Sequence, residues 1–203
     1  MARLLPHLRT LLQIEEAAKE LAERLEECAQ QADRQVNFIH FGHRAPTRAE
    51  CGEVVNVDGC GERITRAMLL GRQKHTRALL CAREVLKEGW PGTFSIEQRY
   101  RYHHHAGVLE TVSPQEEARL LQQGCTAELW RTIKPDLVLH VGRDVLRSVV
   151  TLDYKFPCPE TNEPRWREYD GSSAYAGFNQ GQIYKKALGG EPVLISPKPG
   201  GAR

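Results

Sequence analysis

Two stretches of this chain carry acidic groups at spacings suited to metal-ion chemistry. Lys134-Pro135-Asp136 leads into the apolar run Leu137-Val138-Leu139-His140, and Ser148-Val149-Val150-Thr151-Leu152 leads into Asp153-Tyr154-Lys155. Both runs are β-branched and apolar enough to be strands, and Gly142-Arg143-Asp144 between them fits a hairpin turn. Side chains alternate along a strand, so Asp153 and Lys155 point to one face and Tyr154 to the other. Asp136 opens the neighbouring strand, level with that pair. Two carboxylates and a lysine converging at one end of a sheet suit a divalent cation and a scissile phosphate. Read alone, the segment is also compatible with an ordinary hairpin bearing surface charges.

The elements that must position these groups follow from periodicity. Apolar or small residues at Leu11, Ile14, Ala18, Leu21, Leu25, Cys28 and Ala32 predict a helix from about Leu4 to Asp33. Its stripe packs on the domain, pairs with a second copy, or ends a linker from an upstream module. Residues 35–61 are turn-rich. Their His40, His43, Cys51 and Cys60 match no familiar zinc spacing, so a structured loop is the reading taken. A second helix is expected from Glu62 to Glu88, burying Ile64, Met68, Leu69, Leu79, Leu80, Val85 and Leu86, with Gly89-Trp90-Pro91-Gly92 as its stop. Thr93 to His103 alternates as one strand. Ser113-Pro114-Gln115-Glu116 opens a short helix through Gln123 that shapes a wall of the cleft. Arg165, Trp166, Arg167, Tyr169 and Tyr175 mix cations with stacking surfaces, as nucleic-acid contacts or a packed surface loop would. A helix over 176–188, ended by Gly189-Gly190, and a strand over 192–196 complete the order.

The chain has 203 residues, enough for one large domain or a domain with an appendage. A net charge of +2 provides no global basic field, so any nucleic-acid binding rests on a local patch. No apolar run is long enough to span a bilayer, and no membrane role is expected. Met1 to Thr10 lacks the apolar core of a secretory signal, which leaves a cytoplasmic protein or one delivered into target cells by a secretion system. The six cysteines, at 28, 51, 60, 81, 125 and 158, show no CxxC pair. Thiols are the default reading, with a Cys51–Cys60 disulfide as the alternative in an oxidising compartment.

Pro135-Asp136 followed by Asp153-Tyr154-Lys155 resembles the signature of the PD-(D/E)XK, or restriction-endonuclease-like, nuclease superfamily. Gln180-Gly181-Gln182-Ile183-Tyr184 is similar to the Gln-x-x-x-Tyr motif of its RecB-like branch, and Gly71-Arg72-Gln73-Lys74-His75 to that branch's helix histidine. The resemblance implies an α/β fold with an αβββαβ core, its mixed central sheet flanked by helices, behind a long N-terminal helix. The division expected is 1–34 for that helix, 35–61 for an irregular region and 62–203 for the nuclease domain. It implies hydrolysis of phosphodiester bonds, most suitably in DNA with RNA as the alternative. Mg²⁺, or Mn²⁺ in its place, would be held by Asp136, Asp153 and either His75 or Glu84. Lys155 would orient or deprotonate the attacking water, and Gln180 and Tyr184 would position the substrate. The family includes toxin domains of bacterial polymorphic toxins, whose producers keep a cognate immunity protein. Repair or recombination nucleases, and a silent nucleic-acid-binding or interaction module, are the other expectations. The chain departs from the commonest pattern in having Asp153 where Glu is usual, and in the long insertion before the Gln-Tyr helix.

Overall fold

A computed structural model of the chain describes residues 15–59, 61–124 and 129–198, which form a mixed α/β structure. They divide into two compact units. One contains the chain up to Trp90 together with Tyr154–Arg165 and the residues from Leu194; the other contains Pro91–Asp153 and Trp166–Val193. The N-terminal helix and residues 35–59 share a unit with the second long helix.

In the first unit, helix α1 (Glu15–Phe41) is followed by α2 (Arg48–Gly52), the hairpin β1 (Val54–Val57) and β2 (Arg63–Thr65), and helix α3 (Arg66–Gly89). The stripe of Leu21, Leu25, Cys28 and Ala32 is buried and continues to Val36, and α1 packs along α3. Packing on the domain is therefore what this stripe does. Leu4, Leu11 and Ile14 lie outside the described residues. Helix α1 runs past Asp33 to Phe41, so the expected irregular stretch begins later and contains a helix and a hairpin. His40 hydrogen-bonds Gln73 (2.7 Å), and His43 packs on Phe38.

Helix α3 starts later than expected, at a Thr65 cap, because residues 63–65 pair as a strand. Its buried face is Leu70, Lys74, Ala78, Leu79, Ala82, Val85 and Leu86, whereas Met68 and Leu80 are exposed. The face of α3 that meets α1 carries Gln73, Lys74, Arg77, Cys81 and Glu88. A Cys28–Cys81 disulfide joins the two helices, and a second disulfide joins Cys51 to Cys158. Both corrections matter: these four cysteines are not thiols, and Cys51 does not pair with Cys60. The Gly-rich stretch after Cys51 instead turns the β1–β2 hairpin, with Asp58 N–H donating to the Glu62 carbonyl. Cys60 and Cys125 lie outside the described residues.

In the second unit the expected strand over 93–103 is broken in two. β3 (Phe94–Ile96) and β4 (Tyr100–His103) join different sheets. Glu97 sits at φ 49° between them and donates its N–H to the Asp136 carbonyl (2.9 Å). A left-handed residue cannot continue a strand, so the chain turns there. β4 lies between β5 (Val108–Thr111) and β6 (Thr132–Ile133), and helix α4 (Pro114–Gly124) lies between β5 and β6 in sequence. The Ser113 hydroxyl accepts from Glu116 N–H, as the capping pattern predicts, while the Glu116 carboxylate accepts from Arg101. β7 (Leu137–Val141) and β8 (Asp144–Tyr154) form the expected antiparallel hairpin around Gly142. Helix α5 (Gln180–Leu188) begins at an Asn179–Gln182 capping box and stops at Gly189 with φ 71°. β9 (Glu191–Ile195) completes a sheet ordered β3-β7-β8-β9. Ser148 Oγ donates to the Gly189 carbonyl, and Lys155 N–H donates to the Ile195 carbonyl. The two contacts advance together along both strands, so β9 runs parallel to β8.

Lys74 is 2% exposed, and its ammonium meets Asp33 Oδ1 at 2.7 Å. Burying an ammonium without its partner is strongly unfavourable, and the Asp33 side chain, at 21% exposure, is only lightly screened. Asp33→Ala is expected to destabilise the fold by about 3 kcal/mol in urea unfolding, the low end for an orphaned buried charge. Adding Lys74→Met in that background should recover most of the loss. No recovery would show that Asp33 matters for another reason.

Candidate active site

The β7–β8 register sets the site. Leu137 pairs with Leu152 and Val138 with Thr151, and continuing that register one residue past the start of β7 brings Asp136 level with Asp153; both carboxylates act on Tyr184. Alternation puts both on the face of Val138 and Thr151. Directly opposed side chains have Cβ atoms about 5 Å apart, within joint reach of one ligand. Asp153 is 3% exposed and Asp136 is half-buried.

Helix α5 lays Tyr184 against this pair. The Tyr184 hydroxyl accepts from Gln180 Nε2 at 2.6 Å and lies 3.3 Å from the Lys134 carbonyl and 3.4 Å from Asp153 Oδ1, both of which can accept its proton. Gln and Tyr one helical turn apart share a face, which makes the first bond possible. Tyr184 is completely buried. That burial, followed by the negative charges of Asp153 and Asp136, raises its pKa well above the ordinary tyrosine value. It therefore stays a protonated donor at any working pH. Asp136, Asp153, Gln180 and Tyr184, all singled out from sequence, are thus brought together in the second unit.

The other three expected residues belong to the first unit. Lys155 lies one residue past β8. The His75 ring meets Phe156 edge-on at 5.2 Å, and Phe156 stacks on Tyr154 at 6.2 Å. His75 therefore contacts the residue next to Lys155. Glu84 is exposed and paired with Lys87 at 2.8 Å along its own helix. Nine positions separate His75 from Glu84, about two and a half turns, so they occupy opposite faces of α3. Among the described residues, no group of three or more His, Cys, Asp or Glu is assembled around a metal-sized gap. Two opposed carboxylates nevertheless suit Mg²⁺, which binds through one or two carboxylates and retains several waters.

Gln180 and Tyr184 also line a cleft of about 470 Å³ within the second unit. Its cations are Arg99, Arg131, Lys134 and Arg167; Asp170 is the acidic residue among its lining. Arg99 is held by Glu117 (3.1 Å) and Thr132 (2.9 Å), and Lys134 by Glu117 (3.2 Å) and Glu97 (3.6 Å). Helix α4 thus contributes the Glu117 anchor rather than a wall. Burial pushes Tyr169 up to about 12 and raises Tyr175, so both phenols stay neutral. The insertion contributes Arg167, Tyr169 and Tyr175 to the cleft, while Arg165 belongs to the first unit. Arg99, Trp130, Arg131 and Lys134 were not singled out from sequence. The signal available was a Trp-Arg pair shortly before Pro-Asp.

No protein-family model matches the chain, and no curated protein or solved structure matches it either.

Trp166 packs on the Gly181 backbone and edge-on to Tyr184 at 5.9 Å. A Cβ at position 181 would fall 2.6 Å from the indole. Gly181→Ala is expected to displace Trp166 and cost about 1–3 kcal/mol in thermal unfolding, as overpacking does. A change in the near-ultraviolet aromatic signal should accompany it. An unchanged melting temperature and signal would mean that the helix simply shifts to accommodate the methyl.

Proposed function

We propose that this chain is a metal-dependent nuclease acting on DNA, with RNA as the alternative substrate. The observation that carries the reading is Asp136 opposite Asp153, joined through Tyr184 to a cleft rich in cations and phenols. The element order supports it. Helix α3, strands β3, β7 and β8, helix α5 and strand β9 follow the αβββαβ order implied by the resemblance, with β4, β5, α4 and β6 inserted after the first strand.

A phosphodiester is anionic and repels hydroxide. Bound Mg²⁺ would supply charge neutralisation and a more acidic water. Asp136 and Asp153 would hold that cation; a third ligand from His75 or Glu84 is implied only by the family resemblance. Tyr184 fixes the Asp153 carboxylate through its hydroxyl, and Gln180 fixes Tyr184. Lys155, two residues along the chain from Asp153, would orient or deprotonate the attacking water, or steady charge on the phosphate, as the resemblance implies. The cations of the cleft attract the nucleic-acid backbone and set its position.

Two disulfides among the described residues favour passage through an oxidising compartment over residence in a reducing cytosol. That supports an exported toxin nuclease, protected against by an immunity protein in its producer, over a repair enzyme. No described helix is long and apolar enough to cross a membrane.

Plasmid cleavage by the purified chain is expected with Mg²⁺ and not with EDTA. Asp153→Ala and Lys155→Ala should each lower the rate by about a hundredfold or more while keeping the wild-type melting profile, as loss of a charge-stabilising group does. Equal cleavage by wild type and variants would identify a contaminant. Binding without cleavage of DNA or RNA would leave a silent nucleic-acid-binding module.

A further inference from the structure

We propose that the cleft receives an unpaired nucleotide, its base stacked on Trp130 and its phosphate held by Arg131 and Arg167, which makes single-stranded nucleic acid the favoured substrate. This rests on the nucleic-acid reading above and specifies it.

Trp130 is 61% exposed, whereas Trp90 is buried and Trp166 is packed on Gly181. Leaving an indole in water is costly unless something covers it, and here it stands at the edge of a concave, cationic space. Hydrogen bonds define the turn that presents it. Thr132 donates to the Leu129 carbonyl through both N–H (3.1 Å) and Oγ1 (2.8 Å), closing a turn with Trp130 and Arg131 at its tip. The Arg131 carbonyl accepts from Tyr102 N–H (2.9 Å), which ties that tip to β4.

Arg131 occupies this turn at φ 56°. Glycine adopts such a conformation readily and arginine does not. The side chain is exposed, so core packing does not account for an arginine there. Strain retained at a rigid, cationic rim points to a ligand. An indole with cations beside it matches a nucleotide, which joins an apolar ring to an anion.

Size and stacking select the single strand. A space of about 470 Å³ suits a ligand of nucleotide dimensions. A base within a duplex has both faces covered by its neighbours and offers none to Trp130, whereas an unpaired base does. Asp170, whose carboxylate accepts from Ser172 N–H and hydroxyl, is outnumbered by the four cations of the cleft.

The test is binding of short labelled single-stranded DNA, single-stranded RNA and hairpin duplex, measured in EDTA with the full chain carrying Asp153→Ala. Quenching of tryptophan fluorescence on single-strand binding is expected, and it should be lost in Trp130→Phe. Trp130→Ala should weaken single-strand binding about tenfold, within the range for one base–aromatic stack, with little effect on duplex. Trp130→Phe should retain most of the affinity. Arg131→Gly should keep or raise the melting temperature while weakening binding and lowering the salt slope by about one. Whichever of DNA and RNA binds more tightly names the source of the nucleotide. Duplex binding as tight as single strand, or unchanged affinity in Trp130→Ala, would overturn the inference while leaving cleavage to be judged by the plasmid assay. Single-strand binding of this kind without cleavage by the wild-type chain would instead retain the inference and remove the nuclease reading.

Discussion

Asp136, just before β7, and Asp153, in β8, meet at one end of a strand pair, an arrangement that a sheet ordinarily avoids. Like charges directly opposite are destabilising, and Asp153 is nearly removed from water. The hairpin register fixes this opposition, because Leu137, Leu139, Val150 and Leu152 are all completely buried. Slipping by one residue would turn that apolar set toward the opposite face. Core packing therefore holds two acidic groups where electrostatics alone would separate them. Most of the second unit then serves to make that tolerable: a buried phenol beside Asp153, and cations placed along the adjoining cleft.

Tyr184 has two roles at once. Its ring belongs to the apolar cluster with Tyr100, Tyr102, Ile183 and Leu188, while its hydroxyl reaches toward Asp153. The acidic pair is thereby coupled to the most rigid part of the unit. Gln180 satisfies the hydroxyl oxygen, and Gly181 lets Trp166 close over the helix. Three residues of one helical turn and a half thus set the geometry, the packing and the polar balance of this side of the site.

How much of this was legible in the sequence depended on whether the signal was local. The nearness of the two carboxylates could be read because adjacent antiparallel strands bring the start of one beside the end of the other, although two register shifts near the turn could not. The Gln180–Tyr184 contact could be read because four residues make one helical turn. The break at Glu97 could not, since nothing about a glutamate announces a left-handed backbone; a carbonyl from Asp136, distant in sequence, draws its N–H. Nor could the disulfide partners, because cysteine spacing does not determine connectivity. Met68 and Leu80 were misjudged for a related reason. Hydrophobicity marks a helix face only approximately: Lys74, Ala78 and Ala82 of α3 are buried while Met68 and Leu80 are exposed. The turn bearing Trp130 and Arg131 acquires meaning only from its tie to β4.

The disulfide connectivity has a consequence for synthesis. As the chain emerges from N to C terminus, Cys51 appears long before its partner, since 107 positions separate it from Cys158. Cys81 emerges much sooner and is a nearer competitor in sequence. Pairing of α1 with α3 brings Cys28 to Cys81, 53 positions apart, and so removes that competitor from the reach of Cys51. Helix packing thus removes one wrong partner, and the bridge that fastens the segment just beyond Lys155 can close only after the hairpin bearing both carboxylates has been made.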